Sequence, residues 1–228
     1  MNTLEYFSST VDIKSFKKLG MVKASSLLDA VANNTTVDKK SKILCIGKNL
    51  TAMGFVELGY DVYEYDGLGY AKEIKESDIT ENSFDFIVAV DEYFTRFSNE
   101  LAQLQAIDKL CRAARIGIFT TLKDYKNMHM NQRYFQDPFE VKQDDGDAII
   151  IRKRDWHKDD KQRWTHRSWI IKNNELITLN TVECRTMYFK QLAKFSIDAG
   201  ARNIQVEKKL MYKSLFSKEF EYIIYISF

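Results

Sequence analysis

Proline is almost missing from this 228-residue sequence: Pro138 stands alone, and glycine occurs only nine times. That scarcity excludes collagen-like and Pro/Gly-rich linker architectures, and no internal repeat or low-complexity tract interrupts the chain. Cysteine is equally sparse. Cys45, Cys111 and Cys184 are odd in number, widely spaced and form no C-x-x-C pair, which predicts buried free thiols in a reducing compartment rather than a disulfide framework. No window approaches the roughly 18 apolar residues of a membrane span, and the opening stretch MNTLEYFSSTVDIKSFKK lacks the apolar run of a secretory signal. Together these absences predict a cytoplasmic chain with no membrane segment. The histidines, His129, His157 and His166, show no metal-ligand spacing, so no metal is expected. Walker loops, serine nucleophile elbows and paired-carboxylate hydrolase signatures are missing as well, which sets kinase and hydrolase chemistry aside.

What the sequence does contain is 45% hydrophobic and 13% aromatic residues, enough to build one substantial core. Net charge is only +2, but its distribution is uneven: eight Lys/Arg face three Asp between Ala148 and Lys172. Residues 1–40 hold two weakly amphipathic segments, the second ending at Asn33-Asn34, and both predict helices packed on the core. ILCIG (43–47) is a continuous apolar run ending in glycine, the pattern of a parallel strand buried on both faces. A short helix from Leu50 to Leu58 and the alternating run DVYEYDG (61–67) complete a βαβ unit. A buried strand from Phe84 to Val90 follows, with Asp91 and Glu92 at its end. Ser98 is a plausible N-cap for a helix carrying Leu101, Leu104, Ile107, Cys111 and Ala114, and a strand over 116–122 closes the series.

Beyond that point the alternation stops. AIIIRKRDW (148–156), RWTHRSWIIK (163–172) and ELITLNTVE (175–183) predict an inserted three-stranded antiparallel sheet, with Asn173-Asn174 as a tight turn. A helix over about Thr186 to Ala199, ended by Gly200, precedes two terminal strands that can pair as a hairpin at the edge of the main sheet. In such a fold ligands bind beyond the carboxyl ends of the parallel strands, so the residues following each strand are the ones to watch.

The element order resembles that of the class I S-adenosylmethionine-dependent methyltransferases over residues 41–228, including the small-molecule branch in which an inserted hairpin roofs the substrate pocket. The resemblance implies a Rossmann-like α/β fold: a seven-stranded, mostly parallel sheet with helices on both faces, an antiparallel last hairpin and a small inserted β lid at about 145–185. The family's first-strand motif is an acidic residue, any residue, then G-x-G-x-G. In ILCIGKNLTAMGF only Gly47 of those glycines remains. Cys45 stands in the acidic place, Lys48 and Asn49 follow the glycine, and the span to Gly59 is short. Asn49 could tolerate positive φ where glycine is usual.

Other landmarks match better. The resemblance implies S-adenosyl-L-methionine as cofactor, with Asp66 accepting hydrogen bonds from the ribose hydroxyls beside Gly67, and Asp78 with Ile79 at the adenine. Val90 and Asp91 line the end of the strand from Phe84 to Val90, and Gly47, Lys48 and Asn49 lie at the methionine end. Asp91, Glu92 and His166 are candidate catalytic bases. Tyr93, Tyr125, His129, Tyr134, Arg154 and Trp164 are candidate substrate contacts. On the strand 163–172, Trp164, His166 and Ser168 share one face, which either lines the pocket or belongs to a lid surface.

Each of these has a plainer reading. Strand-end acids are often solvated, Asp91 and Glu92 could cap the next helix, and the basic hairpin could be a solvated surface. The expected function is therefore methyl transfer to an N or O atom of a small, anionic metabolite. The alternative is a catalytically silent methyltransferase-like binding protein, which the altered Cys45 to Asn49 segment favours. A nucleic-acid methyltransferase using the basic hairpin is the third and least favoured reading. A homodimer or a protein partner is left open.

Overall fold

A computed structural model of the chain describes residues 13–125, 134–141, 146–160, 162–213 and 218–228. Its centre is the strand pair β1 (Lys42–Ile46) and β4 (Phe84–Ala89). From Ile43 to Ile46 and throughout β4 every side chain is buried, as continuous apolar runs require of strands covered on both faces. Around them β2 (Asp61–Tyr65), β3 (Lys72–Glu73), β5 (Ala114–Lys123), β10 (Asn203–Lys213) and β11 (Lys218–Ser227) complete a seven-stranded sheet in the order β10-β11-β5-β4-β1-β2-β3. The strands from β3 to β5 run parallel, while β11 is antiparallel to both β5 and β10. The expected Rossmann-like sheet with a reversed last hairpin is thus present.

Alternation along the strands divides the core into two layers. Ile43 and Cys45 face the layer made with α1 (Ile13–Val31) and α2 (Thr51–Glu57), which also holds Leu27, Val31 and Phe55. Leu44 and Ile46 face α3 (Glu100–Ala113) and α4 (Phe189–Asp198) through Ile107, Leu110 and Leu192. Helix α1 approaches α2 closely because both contribute glycine at the crossing. A methyl group on Gly54 would lie 2.0 Å from the Gly20 carbonyl oxygen. Among the described residues no helix is long and apolar enough to cross a membrane.

Of the N-terminal segment the described residues hold one helix, Ile13–Val31, and residues 1–12 lie outside them. Two sequence expectations change. The N-cap of α3 is Asn99, not Ser98: its side-chain oxygen accepts the Ala102 N–H at 2.9 Å. The inserted sheet has four strands, since β6 (Tyr134–Val141) precedes β7 (Ala148–Trp156), β8 (Arg163–Lys172) and β9 (Glu175–Arg185) in the order β6-β7-β8-β9. Pro138 hides β6 from a propensity reading. It is tolerated because β6 is an edge strand whose register shifts between Gln136 and Phe139. The Asn173-Asn174 turn forms as expected, both residues being left-handed with φ of 52° and 63°.

Candidate active site

The carboxyl ends of β1, β2 and β4 lie side by side, and each ends in an unusual backbone. Gly47 turns the chain out of β1 with φ +82° and donates its N–H to the Tyr65 carbonyl at 3.0 Å. Asp66 after β2 and Asp91 and Glu92 after β4 are all left-handed, at φ 50°, 56° and 60°. Non-glycine residues adopt this region at a cost, so three of them at adjoining strand ends mark a place where shape is imposed on the chain.

At the first turn Asn49 does not take the positive φ that the sequence allowed for. It is buried instead, its amide donating to the carbonyls of Ile46 (3.1 Å) and Gly47 (3.0 Å) and its oxygen accepting the Thr51 N–H (2.9 Å). The side chain holds the turn together and is unavailable to a ligand. Lys48 leans toward Asp66, its Nζ 3.9 Å from Oδ1, while the Asp66 side chain stays 65% exposed. An exposed pair of this length contributes little and exchanges readily.

Gly67 follows because nothing larger fits: a methyl there would come within 2.6 Å of the Glu64 carboxylate. Glu64, buried within β2, accepts backbone N–H groups from Leu68 (3.3 Å), Tyr70 (2.7 Å) and Ala71 (2.9 Å) and so shapes the loop after Asp66. Sequence reading missed it, although an acid at an inward position of DVYEYDG was its signal. Asp78 is exposed and caps the short 3-10 turn Glu76–Asp78 by accepting the Lys75 N–H at 2.9 Å. Ile79 is buried, in one cluster with Tyr65 and Tyr93. Val90 is buried in the opposite layer.

The two acids after β4 part company. Asp91 receives both of its contacts from α1, with Lys23 Nζ 3.0 Å from each carboxylate oxygen. Its carbonyl accepts from Arg96 Nη2 at 3.0 Å, and Arg96 Nη1 and the Tyr93 ring lie over Gly47, 3.4 and 3.5 Å from where a methyl would project. Neither Lys23 nor Arg96 was foreseen. Burial, then the neighbouring Tyr65, pushes the Tyr93 hydroxyl up to about 12.

Glu92 turns the other way, under the inserted sheet. It pairs with Lys123 at the end of β5, accepts from Tyr125 Oη at 3.0 Å and lies 3.4 Å from Arg154 Nη2 on β7. Burial on its own would raise its pKa. The Lys123 and Arg154 charges, with the hydrogen bonds from Lys123 and Tyr125, override that and hold it down at about 2. Burial likewise drives the Tyr125 hydroxyl well above its ordinary value, with the Glu92 charge adding to it.

Above Glu92 the inner face of the inserted sheet carries a ladder of aromatic and basic groups. Arg154 stacks on Trp164 at 4.9 Å, Trp164 meets Trp156 at 6.0 Å and His166 at 5.9 Å, and Tyr125 stands edge-on to Trp156. His166 is held near 4, first by burial and then by the charges of Arg154, Arg152 and Lys123, against which Glu92 acts. It is a neutral imidazole at neutral pH. An NMR titration should find this imidazole changing charge near 4; a midpoint close to the ordinary 6.5 would contradict its placement beneath those cations.

The structure thus brings Glu92, Tyr125, Arg154, Trp164 and His166 together, and sets Gly47, Lys48, Asp66 and Tyr93 at the neighbouring strand ends. Tyr134, on β6, pairs in register with Arg154 on β7; the Tyr134 side chain, and all of His129, lie outside the described residues. Among the described residues no group of His, Cys, Asp or Glu is arranged to hold a metal ion.

No protein-family model matches the sequence, and no curated protein matches it either. Solved structures do match in shape. DesVI of Streptomyces venezuelae covers 93% of this chain and 98% of its own, at a TM-score of 0.63 and 10% identity. The CcbJ methyltransferase of Streptomyces caelestis covers 91% of this chain and 89% of its own, at a TM-score of 0.61 and 11% identity. An amino pentose methyltransferase of Micromonospora echinaspora, solved with S-adenosylmethionine bound, covers 91% of each chain at a TM-score of 0.55 and 8% identity. The chain has the class I methyltransferase fold.

Proposed function

We propose that this protein is an S-adenosylmethionine-dependent methyltransferase acting on an N or O atom of a small, anionic molecule. The observation that carries the reading is the pairing, across adjoining strand ends of this fold, of an exposed left-handed Asp66 with a polar cluster built around Glu92 beneath the inserted sheet. Similar folds in an amino pentose methyltransferase and a sugar N-methyltransferase support a small amine-bearing acceptor.

The residues present suit the cofactor at both ends. Among the described residues the Asp66 carboxylate meets Lys48 at 3.9 Å and is otherwise open to a pair of ribose hydroxyls. Tyr65 and Tyr93, backed by the buried Ile79, offer apolar surface to an adenine ring, and Lys48 with Arg96 offers positive charge to a methionine carboxylate. Bound there, S-adenosylmethionine would supply an electrophilic methyl group. The chain's own contribution is positioning and exclusion of water beneath the inserted sheet. With its charge spent on Lys123 and Arg154, Glu92 is a counter-ion and a poor proton acceptor.

Replacing Asp66 by alanine should weaken S-adenosylhomocysteine binding by about 2 kcal/mol, roughly thirtyfold, for the loss of hydrogen bonds to a charged acceptor. Unchanged affinity in a calorimetric titration would refute the ribose assignment.

A second reading, a binding protein without catalysis, is favoured by one feature: Tyr93 and Arg96 lie over Gly47, where the methionine end of the cofactor would approach. Nucleic-acid methylation has less support. On the outer face of the inserted sheet Arg167 pairs with Asp155, and Arg185 with Asp160, so the basic hairpin offers little unspent charge to phosphates.

A further inference from the structure

Opposed residues of an antiparallel pair share a face, and the register Trp156↔Trp164, Arg154↔His166 and Arg152↔Ser168 puts these six side chains on one face of the inserted sheet. The other face is more fully paired, although Arg163 Nε and Arg185 Nε there have no hydrogen-bond partner among the described residues. There Thr165 donates to Glu183 at 2.7 Å, His157 Nε2 lies 3.0 Å from the same carboxylate, and Arg167 pairs with Asp155. On the inner face two unpaired groups stand side by side on one strand. The Trp164 indole N–H is buried, in a residue 3% exposed, and has no hydrogen-bond partner among the described residues; the Nδ1 of His166, two residues on, is buried and has none among them either. A buried polar group left in that state costs about 1–3 kcal/mol, so two neighbours on one strand need an explanation.

Charge points to the same place. His166 feels three cations, Arg154, Arg152 and Lys123, opposed by the Glu92 carboxylate. Arg152 and His166 are each only partly buried, and the Lys123 side chain is 15% exposed, so solvent and small solutes reach the rim of this face. Orphaned hydrogen-bonding groups beneath clustered cations are what an oxyanion satisfies: it accepts hydrogen bonds and lowers the local positive potential together.

We infer that the inner face of β7 and β8, around Arg154, Trp164 and His166, is a subsite for an anionic oxygen group of the acceptor, a carboxylate or a phosphate. The word acceptor rests on the methyltransferase reading; the anion site itself does not.

The full chain is titrated with sodium acetate and, separately, sodium phosphate, at ionic strength held constant with sodium chloride. Tryptophan fluorescence reports on Trp164, and the His166 resonance on the site's potential. A saturable response at millimolar anion is expected, stronger for whichever group the site is shaped to take. The His166 midpoint should rise from about 4 as the site fills. Arg154→Gln should weaken the response at least tenfold, with Arg152→Gln read in its place should the first variant not fold, while Arg167→Gln on the outer face should leave it unchanged. A response that sodium chloride reproduces, that never saturates, or that survives the inner-face substitutions overturns the subsite. Calorimetry with S-adenosylhomocysteine on the same sample separates the two ideas. Anion binding without nucleoside binding removes the methyltransferase reading and keeps the subsite; nucleoside binding with no anion response does the reverse.

Discussion

Glu92→Gln should cost about 3 kcal/mol of folding stability at pH 7, measured by denaturant unfolding. The side chain is 13% exposed and lies between Lys123 and Arg154, whose side chains are 15% and 3% exposed, so the neutral isostere removes a carboxylate that two largely enclosed cations share. The sign with pH follows from the depressed pKa. A carboxyl at about 2 in the folded protein, against an ordinary 4.5, contributes fully above 4.5 and loses its contribution as pH falls toward 2. The gap between wild type and variant should therefore narrow from about 3 kcal/mol at pH 7 to about 2 kcal/mol near pH 3.5. His166 adds to acid sensitivity in the same direction, because a group held near 4 resists the charge it would take up when unfolded. A gap independent of pH would mean that Glu92 is not held by these cations.

Gly54→Ala is the second large effect, and its sign is opposite to what helix propensity alone predicts. In an isolated helix the change would gain about 1 kcal/mol. Here the new methyl would lie 2.0 Å from the Gly20 carbonyl oxygen, 2.3 Å from its carbon and 2.9 Å from the Met21 nitrogen, all backbone atoms that cannot rotate aside. The helices must separate, and a loss of about 3 kcal/mol is expected, lowering Tm by roughly 6–12 °C. Because α1 carries Lys23 to Asp91, parting the helices should also weaken ligand binding at the strand ends. A variant as stable as wild type would show that the α1–α2 crossing is looser than described.

The central strands were legible because their burial is symmetrical: ILCIG and FDFIVAV have no polar face to hide, and only an inner parallel strand tolerates that. Asp66 was legible for a similar reason, as the first acid after an alternating strand in a βαβ unit. The even-numbered face of β8 followed from period-two alternation. What escaped notice depends on contacts distant in sequence. Lys23 reaches Asp91 from 68 positions away, and Arg96 reaches Gly47 only because two left-handed residues, neither of them glycine, swing the chain back over β1. Strand β6 was masked by Asp137 and Pro138, whose usual veto on strands lapses at a sheet edge. Glu92 and Asp91, adjacent and chemically alike, could not be told apart until α1 and the inserted sheet claimed one each.

The central claim is that the strand ends around Gly47 and Asp66 accept an adenosine-containing ligand despite the altered first turn. Calorimetric titration of the full chain with S-adenosylhomocysteine tests it most directly. Saturable binding to a single site, weakened by Asp66→Ala and indifferent to Arg167→Gln, is the predicted result. Absence of binding at millimolar ligand, in protein that circular dichroism shows to be folded, would contradict it and leave Tyr93 and Arg96 as the permanent occupants of that turn.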